Sequence, residues 1–243
     1  MPIYQRQGII PPKRHTVFRQ NNGKLYHEEL FGTEGFSGIS SLIYHLYPPT
    51  MVKWHDTPYS VKPQIAIEDN LQARSFQGFK IKPENDYLKS RKVLFFNNDL
   101  NIGLAAPLSG TGNTFFKNAD ADEMLFIHRG SGVLKSIYGR IEFEYGDYLI
   151  IPRGTIYQIE FNDQDNIILF IESHSPIETP MRYRNQYGQF MEHAPYCERD
   201  FKVPHSLETF DEHGEFLINI KKRGLMYPYI YQTHPFDAVG YDG

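Results

Sequence analysis

Glu123 is a carboxylate that could do chemistry, and it shares with Phe116, Asn118 and Tyr157 two segments framed by glycines and a proline. Gly110 precedes Phe116, Gly130 follows Glu123, and Gly146, Pro152 and Gly154 lead to Tyr157. A carboxylate such as Glu123 can take a proton as a general base or ligate a metal. The other three are poor company for it. Phenylalanine offers no lone pair, a neutral amide is a weak ligand for iron, manganese or zinc, and a neutral phenol is weaker than imidazole. The expectation is a site without metal, in which Glu123 is hydrogen-bonded or faces solvent.

No other group of residues replaces that site. His205, His213 and Glu215 are the right types for a two-histidine, one-carboxylate centre, but they fall in a segment that reads as loop. His45 and His55 would meet only if their strands pair, and His128, just before Arg129-Gly130, reads as turn-directed. Asn118-x-Asp120-x-Asp122 copies the first ligands of a calcium loop, yet Glu123 stands where the sharp-turn glycine belongs and Arg129 where the bidentate glutamate belongs. Gly110-Thr-Gly112 lacks the Gly-Lys-Ser/Thr of a phosphate cradle. No residue is therefore assigned a catalytic, cofactor-binding or metal-binding role.

The elements that position these residues are strands. Ile141, Phe143 and Tyr145 alternate with Arg140, Glu142 and Glu144, a period of two with one apolar and one charged face. Gly146-Asp147 and Pro152-Arg-Gly154 then supply turns, and Tyr157, Ile159 and Phe161 alternate with Gln158 and Glu160. Lys92–Phe96 and Leu100–Ala106 read as a hairpin around Asn97-Asn98-Asp99, and Asn166–Glu172 as a buried strand. Short strands with a turn every eight to ten residues predict an all-β jelly roll or barrel.

Upstream, residues 1–23 read as an extended arm, and two strands within 24–47 flank the loop Gly32–Gly38. Ala73–Lys82 alternates loosely enough for one strand. The expected organisation is an N-terminal arm and β extension over 1–90, a barrel over 91–175, and a connector with an irregular C-terminal segment over 176–243. Within the last part Glu215–Arg223 alternates as a strand, whereas 225–243 shows many aromatics and no closing element; Tyr227, Tyr229, Tyr231 and Phe236 read as surface awaiting a further partner.

Composition excludes some functions. Twenty-five basic against 29 acidic residues give a net charge of −4 with no basic stripe, which argues against nucleic acid or an anionic membrane. No apolar run approaches the roughly 18 residues of a membrane span. The single Cys197 excludes an intrachain disulfide and disfavours a cysteine zinc site, and a reducing cytoplasm is the default expectation.

The framed segments resemble the two cupin motifs, G-x5-H-x-H-x4-E-x6-G and G-x5-P-x-G-x2-H, with all framework positions kept and each histidine replaced. Leu25-Tyr-His-Glu-Glu-Leu-Phe-Gly32, Ser41-Leu-Ile-Tyr-His-Leu-Tyr-Pro48 and Thr233-His-Pro-Phe-Asp-Ala-Val-Gly-Tyr-Asp242 are similar to segments of homogentisate 1,2-dioxygenases. That resemblance implies a cupin fold and a family reaction in which O2 and a non-haem Fe(II) open the ring of a small aromatic acid, homogentisate, to maleylacetoacetate in tyrosine and phenylalanine breakdown. It also implies that the iron ligands belong to a second barrel, so that no cofactor is expected here, and that the partners are the second cupin half and further copies in a trimer or hexamer. The competing expectation is a stand-alone metal-free cupin holding a small molecule against Phe116, Asn118 and Tyr157; a third is a metalloenzyme with rearranged ligands.

Overall fold

A computed structural model of the protein describes residues 4–14, 16–67, 70 and 72–243; of Thr33 and Glu34 only the backbone is described. His15, part of the expected arm, lies outside the described residues. In chain order the strands are β1 (Arg6–Gly8), β2 (His27–Glu34), β3 (Ser37–His45), β4 (Val52–His55), β5 (Tyr59–Ser60), β6 (Lys92–Phe96), β7 (Leu100–Ala105), β8 (Phe115–Asn118) and β9 (Asp122–Arg129). They continue as β10 (Gly132–Ser136), β11 (Gly139–Phe143), β12 (Tyr148–Ile151), β13 (Ile156–Phe161), β14 (Ile167–Ser173), β15 (His213–Lys222), β16 (Leu225–Thr233) and β17 (Ala238–Asp242). One short α-helix, α1 (Tyr87–Ser90), precedes β6.

Three sheets stack. The first has the order β1-β17-β3-β2, the second β11-β10-β13-β8-β15-β16-β4 with β5 on β16, and the third β12-β9-β14-β7-β6. The second and third face each other as the expected cupin-type jelly roll, enclosing Tyr87, Phe116, Leu125, Ile127, Phe143, Tyr157, Ile159, Ile168 and Phe170. The second sheet is apolar on its other face too. There Phe115, Ile137, Ile156, Ile218 and Tyr231 pack against Ile43, Ala238 and Tyr241 of the first sheet. Because successive side chains of a strand point to opposite faces, neighbours divide between the cores: Phe115 and Ile156 go to one, Phe116 and Tyr157 to the other. A strand buried on both faces reads as a continuous apolar run, as Phe115-Phe116 and Ile156-Tyr157 do.

Two glycines of the framework have backbone reasons. A Cβ on Gly110 would lie 1.9 Å from the carbonyl oxygen of Ile159, so only glycine lets the chain reach β13 there. Gly146 has φ +92°, the left-handed region that side chains disfavour, and forms the turn into β12 with Asp147.

Several expectations are corrected. Ala73–Lys82 forms no strand; its regular piece is a 3₁₀ turn at Gly78–Lys80, because among the described residues no strand pairs with its backbone. Tyr145 lies beyond β11, exposed at the turn. The stretch 176–212 is irregular apart from two 3₁₀ turns, and the expected strand at Glu215–Arg223 forms as β15, but 225–243 is ordered as well, in β16 and β17. β15 runs parallel to β8 and antiparallel to β16, and β17 inserts between β1 and β3 with every residue buried. Tyr231 and Phe236 are consequently interior, and Tyr227 and Tyr229 are half-buried, so these rings meet the chain itself. The arm is likewise packed: β1 pairs with β17, and Gln5 and Gly243 exchange backbone hydrogen bonds. Among the described residues no helix is long and apolar enough to cross a membrane.

Candidate functional site

The jelly-roll interior converges on Glu123. On β9 and β14 the paired residues Glu123 and Glu172 lie directly opposite each other, and both are buried. Two carboxylates so placed repel unless something cationic lies between them. Arg91 supplies the cation. Asp86 caps α1 by accepting from the Lys89 amide at 2.9 Å, and the buried Tyr87 anchors the turn, so the chain enters β6 with Arg91 directed into the barrel. Its Nη2 donates to Glu172 Oε1 at 2.9 Å, and Nη1 lies 2.6 Å from Glu123 Oε1. The latter contact is off the N–H axis and Oε1 accepts no aligned hydrogen bond, so it acts as a charge pair.

Further groups satisfy the carboxylates. Tyr157 donates its hydroxyl to Glu123 Oε2 at 2.8 Å, while Asn101, Asn118 and Lys221 donate to Glu172 at 2.8, 3.2 and 2.5 Å. The guanidinium carbon Cζ sits 4.3 Å from the Phe170 ring centroid, with Tyr87 and Phe116 close by, a cation–π setting. Two cations balance two anions within one desolvated cluster. Burial alone would raise the Glu172 carboxyl, but Arg91 and Lys221 outweigh it and bring it down to about 2. Burial, with Glu123 next to it, holds the Tyr157 phenol well above its ordinary value, so it stays a donor.

This arrangement does not fit a transition metal. Phe116 has no donor, Tyr157 spends its proton on Glu123, and Asn118 Oδ1 already accepts from the amides of Asp120 and Ala121. A guanidinium held at Glu123 repels a second cation. Glu123 is wholly buried, paired with Arg91 and accepting from Tyr157.

The remaining candidates separate in space. Asp120 accepts from the amides of Arg223 and Gly224, and Asp122 from those of Arg153 and Ile177, so the calcium-like carboxylates fasten loops instead. His213 stacks edgewise on Tyr47 and Glu215 pairs with Lys53. His128 lies within β9 on the face turned away from the barrel interior, half-buried against Phe79 and near Tyr145 of the following turn. His45 and His55 stand on strands of different sheets. Among the described residues no three His, Cys, Asp or Glu side chains converge as a metal-ligand set. Two cavities, of about 70 and about 220 Å³, border the first sheet, and neither is lined by Phe116, Asn118 or Tyr157.

A second buried ionic group ties the first sheet together. His45 Nδ1 lies 2.7 Å from Asp237 and Nε2 3.1 Å from Glu29. Burial disfavours the imidazolium, but hydrogen bonds to both carboxylates prevail and raise it from 6.5 to about 9. Because the folded value is the higher one, this stabilisation is fully present below pH 6.5 and is lost as pH rises through about 9. Its size is at most ~3 kcal/mol. Urea unfolding of the protein between pH 6 and 10 should show the decline, and His45→Gln should flatten it.

Sequence reading located Glu123, Asn118 and Tyr157 but missed Arg91, Glu172, Tyr87, Asn101 and Lys221. One signal was legible: Glu172 continues the inward register of Ile168 and Phe170, and a carboxylate at such a position calls for a buried partner. Nothing local says that the partner is Arg91, eighty-one residues away.

The family described as "Homogentisate 1,2-dioxygenase N-terminal" matches residues 96–243. A Saccharolobus solfataricus protein, "Putative dioxygenase SSO1533", is 40% identical over 247 residues, covering 100% of this chain and 62% of the relative. The chain thus spans less than two thirds of that relative. Among solved structures, a cupin-2 domain protein of Shewanella frigidimarina is 21% identical over 35% of this chain and 79% of its own, with TM-score 0.31. KdgF from Halomonas is 16% identical over 35% and 78%, with TM-score 0.32.

Proposed function

This chain belongs to the homogentisate 1,2-dioxygenase N-terminal family, and from that premise we propose that it is the metal-free N-terminal portion of a ring-opening dioxygenase. On this reading the enzyme inserts O2 into homogentisate, a small aromatic acid, at a non-haem Fe(II) and yields maleylacetoacetate. The iron and its ligands belong to a second cupin half, to which this portion is the structural companion. Copies assemble into a trimer or hexamer in the cytoplasm. The observation that carries the structural role is the Arg91 guanidinium between Glu123 and Glu172, because a cation supplied by the chain fills the place at which a cupin would use a metal.

Iron retention and ring cleavage test the reading. Residues 1–243 are loaded with Fe(II), desalted, and given homogentisate and O2, alongside the full gene product. Expected are no retained iron and no ring-opened product for residues 1–243, and both for a full-length enzyme bearing an iron-binding barrel. Stoichiometric iron on residues 1–243 that disappears in Glu123→Gln would overturn it.

A further inference from the structure

Lys117 lies between Phe116 and Asn118 on β8, both of which turn into the barrel. The alternation of the strand therefore sends Lys117 the other way, into the cleft between the first and second sheets. There it lines the cavity of about 70 Å³ together with Glu29, His45, Ile156, Tyr231 and Asp237. Lys53, Lys92, Lys135, Lys202 and Lys221 each hold a carboxylate within 2.7 Å. Among the described residues Lys117 holds no carboxylate within 4.0 Å, although it shares the cavity with Glu29. His45, clamped on Asp237, occupies one oxygen of Glu29 and fixes that carboxylate at the cavity wall.

From this placement we propose that Lys117 is a nucleophilic amine that captures small carbonyl compounds, aldehydes of two or three carbons, as an imine inside the cavity. The amine nitrogen forms a bond to the carbonyl carbon, and the π pair moves to oxygen, which takes the surplus proton of the nitrogen by way of water beside the Glu29 carboxylate. The carbinolamine then loses its hydroxyl with a proton as water while the nitrogen lone pair forms C=N, so that aldehyde plus amine give imine plus water without any oxidant. Burial, offset in part by Glu29 and reinforced by Lys222, lowers the ammonium's pKa and enriches the free amine. The walls of Ile137 and Ile156 shelter the product from bulk water.

Reductive trapping decides it. The protein is treated with acetaldehyde and cyanoborohydride at pH 7, and ethylated lysines are mapped by mass spectrometry over time. Lys117 should be ethylated several-fold faster than the exposed Lys24. Benzaldehyde should reverse that preference, since a benzene ring needs a cavity of roughly 150 Å³. Equal or slower ethylation of Lys117, or an undiminished preference for it with benzaldehyde, overturns the proposal. Lys117→Met should lose the fast phase while Lys24 reacts at its former rate.

Discussion

Arg91→Met lowers the unfolding free energy by ~3–5 kcal/mol, the cost of leaving a buried ionic partner uncompensated. The loss falls unevenly on the two carboxylates. Glu172 keeps Lys221, Asn101 and Asn118, whereas Glu123 keeps only the Tyr157 hydroxyl. Adding Glu123→Gln to Arg91→Met should therefore restore a large part of the stability, since an amide can still accept from Tyr157 and carries no charge. Glu172→Gln should restore less, because it strands Lys221 instead. Arg91→Lys should fall between Met and the parent: it keeps the charge but cannot reach both carboxylates with a planar fork. Denaturant unfolding of the four variants checks the order. If Arg91→Met is neutral, or if the Glu123 rescue is no better than the Glu172 rescue, the guanidinium does not hold the barrel's charge balance.

Phe170→Ala is the second large effect, again ~3–5 kcal/mol, from lost apolar burial and the cavity left behind. Phe170 is 1% exposed and lies at the centre of the barrel core. Its ring also underlies the guanidinium and packs so closely on β7 that a Cβ at Gly103 would approach Phe170 Cζ to 2.3 Å. Phe170→Leu, which keeps most of the volume, should cost clearly less. Because the ring supports Arg91, Phe170→Ala and Arg91→Met should not add: once either is made, part of the other's contribution is already gone. A double-mutant cycle with additive losses would mean that the ring only fills space.

These expectations describe a cupin frame that carries a cation of its own in its interior. A metal site gathers side chains from several strands around one cation. Here α1 delivers a covalently attached cation to the same interior, and the retained Glu123 serves it. Introducing histidines at 116, 118 and 157 alone would leave Arg91 in place and Glu123 engaged.

The strands were legible because local physics dictates them. Alternating apolar residues, Gly146-Asp147, Pro152-Arg-Gly154 and the hairpin at Asn97 act over a few residues, and the structure has strands and turns at those places. The absence of imidazole at 116, 118 and 157 is likewise a property of residue type alone. What the chain order hides is pairing across distance. Whether 225–243 is an unsupported tail or a set of buried strands depends on β17 finding β1 and β3, partners from the opposite end of the chain. Whether Glu123 is free or engaged depends on Arg91 arriving from α1. Residue types and short-range spacing state what a segment can do; only the tertiary structure chose which charges meet, because a buried charge takes its partner from three-dimensional neighbours rather than from sequence neighbours.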